Sequence, residues 1–269
     1  MEALIVSLVF MIGACYVVEI FLAQPDWGAI VTSTIHPRIN SESLYVAIGI
    51  LGATVMPHNL YLHSALVQSR RVTRAPDELR TAAKYNLIDT AVALNMAFFV
   101  NAAILVMSAA VFFRNNVVVR EISQAHTLLA PLVGTALSST LFAVALLCAG
   151  QSSTLTGTLA GQIVMEGFLR IRIRPWMRRL ITRSLAIIPA AIVIAIQGEE
   201  GTYKLLILSQ VILSFQLPFA IVPLIQFTSS KDKMGEFANP RWLQLIAWLV
   251  AAFIIGLNIM LLTLIFSGD

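Results

Sequence analysis

Seven long apolar runs constrain this chain more than any other feature of its sequence. They cover Ala3 to Ala23, Leu44 to Val67, Asn86 to Phe113, Leu128 to Leu169, Leu180 to Ile196, Leu205 to Phe227 and Trp242 to Phe266. About 20 largely apolar residues are needed to cross a hydrocarbon core roughly 30 Å thick. The fourth run is too long for one crossing, so we expect part of it to lie at the interface or in a surface helix. The sequence predicts an all-α, polytopic membrane helix bundle of about seven spans.

The amino-acid composition excludes the common water-soluble classes of protein. Hydrophobic residues make up 58% of the 269 residues and charged residues 12%, whereas a soluble globular domain has roughly 25% charged residues. So few ionised groups cannot cover a soluble enzyme, and a disordered chain is poor in apolar residues and rich in charge. No His-Glu-x-x-His string or similar catalytic set is present. We therefore expect a protein that lies mostly in a lipid bilayer and is not an enzyme.

The positions of Lys and Arg indicate how the chain crosses the membrane. Of the 18 Lys and Arg residues, fourteen fall after the second, fourth and sixth runs, and four fall in the other connections. Cytoplasmic loops carry an excess of Lys and Arg, so the first run is predicted to start inside. The basic residues from Arg170 to Arg183 indicate topology and contact with lipid headgroups, not nucleic-acid binding. We expect an integral, multi-pass protein of a bacterial inner (plasma) membrane.

The second run contains a proline at mid-membrane. Pro57 has no amide hydrogen, clashes with the preceding turn and disfavours helical geometry at Met56. The sequence therefore predicts a break in the helix at Val55 to Pro57. The break leaves carbonyls around Gly52 to Val55 without helical partners, and such backbone survives only where protein or a water-filled cavity satisfies it. These carbonyls lie at the negative end of a half-helix dipole, so a cation is a natural occupant.

Three side chains beside this break suit a cation path. Met56 offers a thioether, a soft ligand that suits transition metals, and His58 and His63 titrate near neutral pH and can bind protons or metal. The alternative is a proline kink filled by an adaptable Met, with two histidines hydrogen-bonded in the core. Spacing alone does not separate these interpretations.

The sixth run is a second candidate for a broken helix. Gln210 and Ser214 are four residues apart and share a helical face, and Pro218 interrupts the helix one turn later. Amides and a break together indicate a cavity, although polar residues also stabilise contacts between membrane helices. In the third run, Asn95 and Asn101 have the same two interpretations.

Three acidic residues, Glu19, Asp89 and Glu166, lie near the ends of runs. Each is able to neutralise a cation pathway. Charged residues at the ends of spans usually reach the interface, and we expect these three to do so.

Several strings of residues, taken together, resemble one family. They are Met56 to Ser64 with its Met-Pro-His-Asn string, the small and polar segment Gly150 to Gln162, Val164 to Leu169, and Ser209 to Phe219. In this order they resemble the Nramp family of proton-coupled divalent metal transporters. The resemblance covers essentially the whole chain.

The resemblance implies a fold and an extent. Family members have about eleven helices, with two inverted repeats of five, as in a LeuT-type fold. By resemblance, residues 1–269 form a single transmembrane domain that holds helices five to eleven, including the second repeat. The chain is then a fragment that lacks the first four helices, among them a broken helix with an Asp-Pro-Gly-Asn motif, and no such string occurs here.

The resemblance also implies roles for seven residues. Met56 would supply a thioether to the metal, Ala53 a backbone carbonyl, and Gln210 a ligand or gate contact. His58 and His63 match residues linked to proton movement. Thr54 and Asn101 match positions near the outer gate. The partners implied are protons, the lipid bilayer and Mn²⁺ or Fe²⁺ as transported substrate, with no permanently bound cofactor.

Alternative functions remain at this point. The chain is either a proton-coupled transporter of manganese or iron, a truncated membrane protein that does not transport, or a haem-binding membrane electron carrier that uses His58 and His63. A retinal receptor needs a Lys within the membrane for its Schiff base, and the position of all four Lys residues outside the runs counts strongly against this function. The sequence leaves the preferred metal and the oligomeric state open.

Overall fold

The computed structural model describes residues 2–36, 40–68, 75–119, 121–167 and 174–267. Every regular element of these residues is helical, which confirms the predicted all-α class. Ten α-helices follow one another along the described chain: α1 Glu2–Ala23, α2 Trp27–Ile35, α3 Ser41–Thr54, α4 Pro57–Gln68, α5 Pro76–Ser108, α6 Ile122–Val133, α7 Ala136–Gly167, α8 Pro175–Ser229, α9 Lys231–Met234 and α10 Arg241–Ser267. A π-helical turn, Ala109–Phe113, follows α5, and a 3-10 turn, Gly235–Phe237, follows α9.

Six of the described helices are long and apolar enough to cross a membrane. They are Ala3–Ala23, Ser43–Gln68, Asp77–Phe113, Ala136–Gly167, Lys204–Ser229 and Arg241–Met260. The remaining expected span, Leu180 to Ile196, corresponds to the shorter apolar helix Arg183–Ile196. Large apolar side chains face outward, as Phe219 does with 81% of its surface exposed. This pattern suits lipid as the surrounding solvent, and the chain is a multi-pass membrane protein.

In two places the helices of the structure begin and end differently from the predicted runs. The fourth run is two helices, because α6 ends at Val133 and the left-handed backbone of Gly134 (φ 84°) caps it before α7 starts at Ala136. This confirms that the run is too long for one crossing. The fifth and sixth runs meet in α8, which is broken at Gly198 (φ 68°, ψ −155°).

Several basic residues used for the predicted topology lie outside the described residues, as does the end of the fourth run at Phe168 and Leu169. The basic residues concerned are Arg38, Arg70, Arg71, Arg74, Arg120, Arg170 and Arg172.

The helices form two compact units. The first contains residues 1–37 and 67–159, and the second contains residues 38–66 and 160–269. The predicted single domain and its likeness to a repeat of a LeuT-type fold stay predictions.

The first unit closes around an apolar core supplied by α1, α5, the π-helical turn, α6 and α7. The buried residues of this core are Cys15, Tyr16, Ala103, Met107, Val111, Phe112, Ala125, Leu129 and Ala145. α6 and α7 are also joined by the Ser139 hydroxyl, which donates to the His126 carbonyl (2.6 Å) and accepts from the Ala130 amide (3.1 Å). The hydroxyl thus enters the hydrogen-bond ladder of α6 beside Pro131.

The same unit buries an acidic side chain that we expected at the interface. Glu19 of α1 is only 1% exposed, so that expectation is wrong for this residue. Asp89 and Glu166 are exposed. Glu19 lies one turn beyond the buried Cys15 and Tyr16, so helical periodicity turns it toward the same core.

The second unit is built on the packing of α3 against α8 and α10. α3 begins with a capping box, in which the Asn40 side chain accepts from the Ser43 amide (2.7 Å) and the Asn40 amide donates to the Ser43 hydroxyl (2.9 Å). Leu44 and Ile48 are one turn apart on α3 and pack against Val211 of α8. This packing fixes α3 against α8 just before the break at Pro57.

Candidate functional site

The predicted break in the second span is present. α3 ends at Thr54 and α4 begins at Pro57, with Val55 and Met56 between the two helices. Val55 has φ −112° and ψ 81°, which is outside the helical region. This confirms the break at Val55 to Pro57, and its cause is local because proline cannot donate a hydrogen bond and restricts the residue before it.

The backbone at the break exposes the negative end of a helix. The Val55 amide donates to the Leu51 carbonyl (2.9 Å), and the Asn59 amide donates to the Met56 carbonyl (3.0 Å). The Ala53 and Thr54 carbonyls lie in the last turn of α3, where helix carbonyls lose their intrahelical partners. The partial negative charge of such an end favours a cation.

A glycine brings this end of α3 against α8. A Cβ atom built on Gly52 would meet the Gln210 carbonyl oxygen, and it would lie 2.9 Å from the Ser214 amide nitrogen and 3.0 Å from the Ser214 Cβ. The two helices therefore approach backbone to backbone at a point where no larger residue fits. The structure thus brings Gln210 next to the helix end that carries Ala53.

Oxygen atoms on α8 and α10 are buried near this contact without hydrogen bonds. Among the described residues, the Gln210 Oε1, Ser214 Oγ and Asn258 Oδ1 atoms have no hydrogen-bond partner. The Asn258 amide group donates to the Ser214 carbonyl (3.3 Å) and to the Ile254 carbonyl (2.9 Å), and so ties α10 to α8. Buried acceptors normally have partners, so an unpaired set calls for water or a cation.

The candidate ligands are all uncharged. Met56 and Ala53 are half-buried at the break. Within the described ranges, no three His, Cys, Asp or Glu side chains come together in a way that could hold a metal ion. Of these ligands, the Met56 thioether is soft and suits a transition metal, whereas the carbonyl and amide oxygens also suit hard cations. Neutral ligands alone offset little of the desolvation of a divalent ion, so this set suits transient passage better than permanent binding.

The structure gives the positions of the other predicted site residues, but their geometry does not indicate a role. His58 is half-buried and His63 is exposed, and both lie on α4. Five residues turn an α-helix by about 140° beyond a full turn, so the two rings do not share a face. Thr54 is exposed at the end of α3, and its hydroxyl donates to the Ile50 carbonyl (2.8 Å). Asn101 is exposed on α5, in the first unit.

Sequence reasoning missed two residues of this site. The packing role of Gly52 was not predicted. The one indication in the sequence is that Gly49 and Gly52 lie three residues apart in one span, and small residues at short spacing favour close helix packing. Asn258 is a polar residue within the apolar span Arg241–Met260, which is the same signal that drew attention to Gln210. A systematic search of every span for polar residues would have found it.

Comparison with known proteins adds to this geometry. The family model described as natural resistance-associated macrophage protein-like, or Nramp, matches residues 1–264. A divalent metal cation transporter MntH from Nostoc sp. is 55% identical over 265 residues, which are 97% of this chain and 60% of that protein. The protein of the same name from Agrobacterium fabrum is 52% identical over 265 residues, 97% of this chain and 58% of that protein.

A eukaryotic relative shows the same extent of similarity. The natural resistance-associated macrophage protein 2 homolog of Dictyostelium discoideum is 54% identical over 261 residues, 96% of this chain and 41% of that protein. The chain therefore spans 41% to 60% of the length of these three relatives.

Proposed function

Because the chain belongs to the Nramp family, we propose that it forms part of a transporter that carries divalent metal cations across a membrane. Two relatives that are more than half identical to the chain are named divalent metal cation transporters. The chain spans 60% or less of these relatives, so the proposal concerns its part in such a transporter.

One observation carries this proposal. A span is broken at Val55 and Met56, and the end of its first half lies against Gln210, whose side-chain oxygen is buried without a partner. A membrane-spanning helix keeps an interruption of this kind only where protein or a water-filled cavity satisfies the backbone. The Ala53 carbonyl, the Met56 thioether and the Gln210 amide are the ligands that we propose for the passing ion.

The finer parts of the proposal concern the metal and the proton. The Met56 thioether favours Mn²⁺ or Fe²⁺ over Ca²⁺, because calcium takes oxygen ligands only. Protons would move with the metal through His58 or His63, because an imidazole ring is able to take up and release a proton. Thr54 and Asn101 would act at the outer gate, and the membrane would be a bacterial inner membrane.

The test is uptake into liposomes that contain the chain, either alone or joined to the part of the Nostoc relative that it does not match. Radioactive Mn²⁺ reports the metal, and a pH-sensitive dye inside the vesicles reports protons. We expect Met56→Ala to lower the preference for Mn²⁺ and Cd²⁺ over Ca²⁺ by roughly tenfold, the lower end of the range for damage to a metal site. Replacing His58 or His63 by Ala in the same vesicles tests the proton route.

A matched control is available in the same unit. Met260 is 49% exposed on α10 and far from the break in sequence, so Met260→Ala should leave the metal preference unchanged. Competition by Ca²⁺ that is the same in Met56→Ala and in the unmodified protein contradicts the thioether role. Absence of divalent-cation uptake by both the chain and its joined form contradicts the proposed transport.

A further inference from the structure

The first unit contains a carboxyl group that the metal path does not use. Glu19 is 1% exposed, and among the described residues neither of its carboxyl oxygens has a hydrogen-bond partner. It lies on α1, between the buried Tyr16 and the end of the helix at Ala23. A side chain with two strong acceptor atoms is thus enclosed without a donor.

The core of the first unit is largely apolar, and none of the described residues places a cation against Glu19. The core of this unit is formed by residues such as Ala103 and Met107 of α5, Leu129 of α6 and Ala145 of α7. Two titratable groups of the described chain, Cys15 and Tyr16, lie close to Glu19 on its own helix, and Cys148 of α7 lies near Cys15. None of these groups is positively charged, and no Lys, Arg or His of the described chain pairs with the Glu19 carboxyl.

An ionised carboxylate is not stable in this position. Removing a charge from water without a partner is so unfavourable that the group neutralises instead. Three partners could resolve the problem: a basic side chain, a metal ion or a proton. The described residues supply no basic side chain, and they contain no group of three His, Cys, Asp or Glu residues that could hold a metal. The proton remains.

We propose that Glu19 is a proton-binding site in the core of the first unit, where the carboxylate takes up one proton from water and stays a neutral carboxylic acid while α1 is packed. Binding joins one proton to one carboxylate oxygen and leaves no net charge on the side chain. Loss of that proton creates a buried negative charge, so it requires α1 to separate from its neighbours or water to enter. Proton occupancy of Glu19 is thereby coupled to the packing of this unit.

Glu19 and the proposed metal ligands belong to different units. Met56, Ala53 and Gln210 belong to the second unit, whereas Glu19 and its neighbours belong to the first. The inference does not rest on metal transport and can be tested without any metal.

The test is infrared spectroscopy of the purified 269-residue chain in lipid nanodiscs. The carbonyl stretch of a protonated carboxylic acid is resolved from that of a carboxylate, and exposed Asp and Glu side chains have lost their protons well below neutral pH. We expect the unmodified protein to keep a protonated-carboxyl band at neutral pH. The band should correspond to one carboxyl group and should weaken only in alkaline buffer, together with loss of helix packing.

Substitutions assign the band to a residue. Glu19→Gln keeps the shape and the neutral state, so it should fold and lose the band. Glu19→Asp should shift the band without removing it. Glu236→Gln makes the same chemical change at an exposed residue and should leave the band intact, as should Met56→Ala.

Two results overturn the inference. The first is the absence of a protonated-carboxyl band in the unmodified protein at neutral pH, which is measured without any variant and therefore does not depend on how Glu19→Gln folds. The second is a band that persists unchanged in both Glu19→Gln and Glu19→Asp, which would assign the proton to another residue.

Discussion

The two units bury different kinds of polar group. The first unit buries the acidic Glu19 as well as the uncharged Ser138 and Ser139, and the oxygens of its Asn86 and Thr90 side chains are also buried without a partner. The second unit collects uncharged oxygens, those of Gln210, Ser214 and Asn258, near a helix end. An isolated acid is satisfied by a single proton, whereas several neutral acceptors beside a negative helix end suit water or a passing cation. The comparison therefore contrasts the region of the proposed proton-binding site with the region of the proposed metal path.

Disrupting the contact of α3 with α8 is expected to have the largest effect on the second unit. Gly52→Ala places a Cβ atom against the Gln210 carbonyl and the Ser214 backbone, so the two helices must separate. We expect a loss of about 3 kcal/mol in the free energy of unfolding, at the upper end of the usual range for overpacking. Denaturant unfolding in detergent, followed by circular dichroism, measures it.

A neighbouring glycine is the control for this prediction. A Cβ atom on Gly49 would lie 3.8 Å from the Cγ2 atoms of Ile207 and Val211, which is ordinary van der Waals contact. Gly49→Ala should therefore be neutral, or stabilise the helix by up to about 1 kcal/mol through backbone propensity. Equal unfolding free energies for the two alanine variants would show that α3 and α8 do not approach as described.

The apolar cores provide a test in which the two units should behave alike. Leu129 in the first unit and Ile48 in the second are both fully buried. We expect Leu129→Ala and Ile48→Ala each to lower the free energy of unfolding by about 2 kcal/mol, because each leaves a cavity. The same denaturant titration measures both. A large difference between the two losses of unfolding free energy would mean that the units differ in apolar packing and not only in their polar groups.

The hydrogen bond between α10 and α8 is expected to have the smallest effect. Asn258→Ala removes the bond from the Asn258 amide to the Ser214 carbonyl, and such bonds between membrane helices contribute about 0.6 kcal/mol. The control is Asn95→Ala, because Asn95 donates only within its own helix, to the Ala91 carbonyl. A loss for Asn258→Ala as large as that for Gly52→Ala would mean that the polar group, and not the glycine contact, holds the second unit together.

Much of the fold follows from patterns that are local in the chain. Apolar runs of sufficient length predicted the helices that are long and apolar enough to cross the membrane. The excess length of the fourth run predicted that it is not one crossing, but it did not predict the division at Gly134. The candidate site was predicted in part: Met56, Ala53 and Gln210 were named from the sequence and from family resemblance. The contact that brings Gln210 to α3 was not predicted, because it depends on Gly52, whose importance lies in the atoms of another helix.

Pro57 breaks its helix whatever surrounds it, because the missing amide hydrogen and the rigid ring are covalent properties of that residue. The position of Glu19 depends instead on packing. A carboxyl group near the end of a span reaches the interface if its face of the helix is free, and it is buried if other helices cover that face. α1 turns this face toward the core of the first unit, which includes residues more than 80 positions away in the chain from Glu19, such as Ala103 and Leu129. Such long-range contacts leave no periodic or local pattern in the sequence. The burial of Glu19 and the approach of Gly52 to α8 are therefore determined by the tertiary structure.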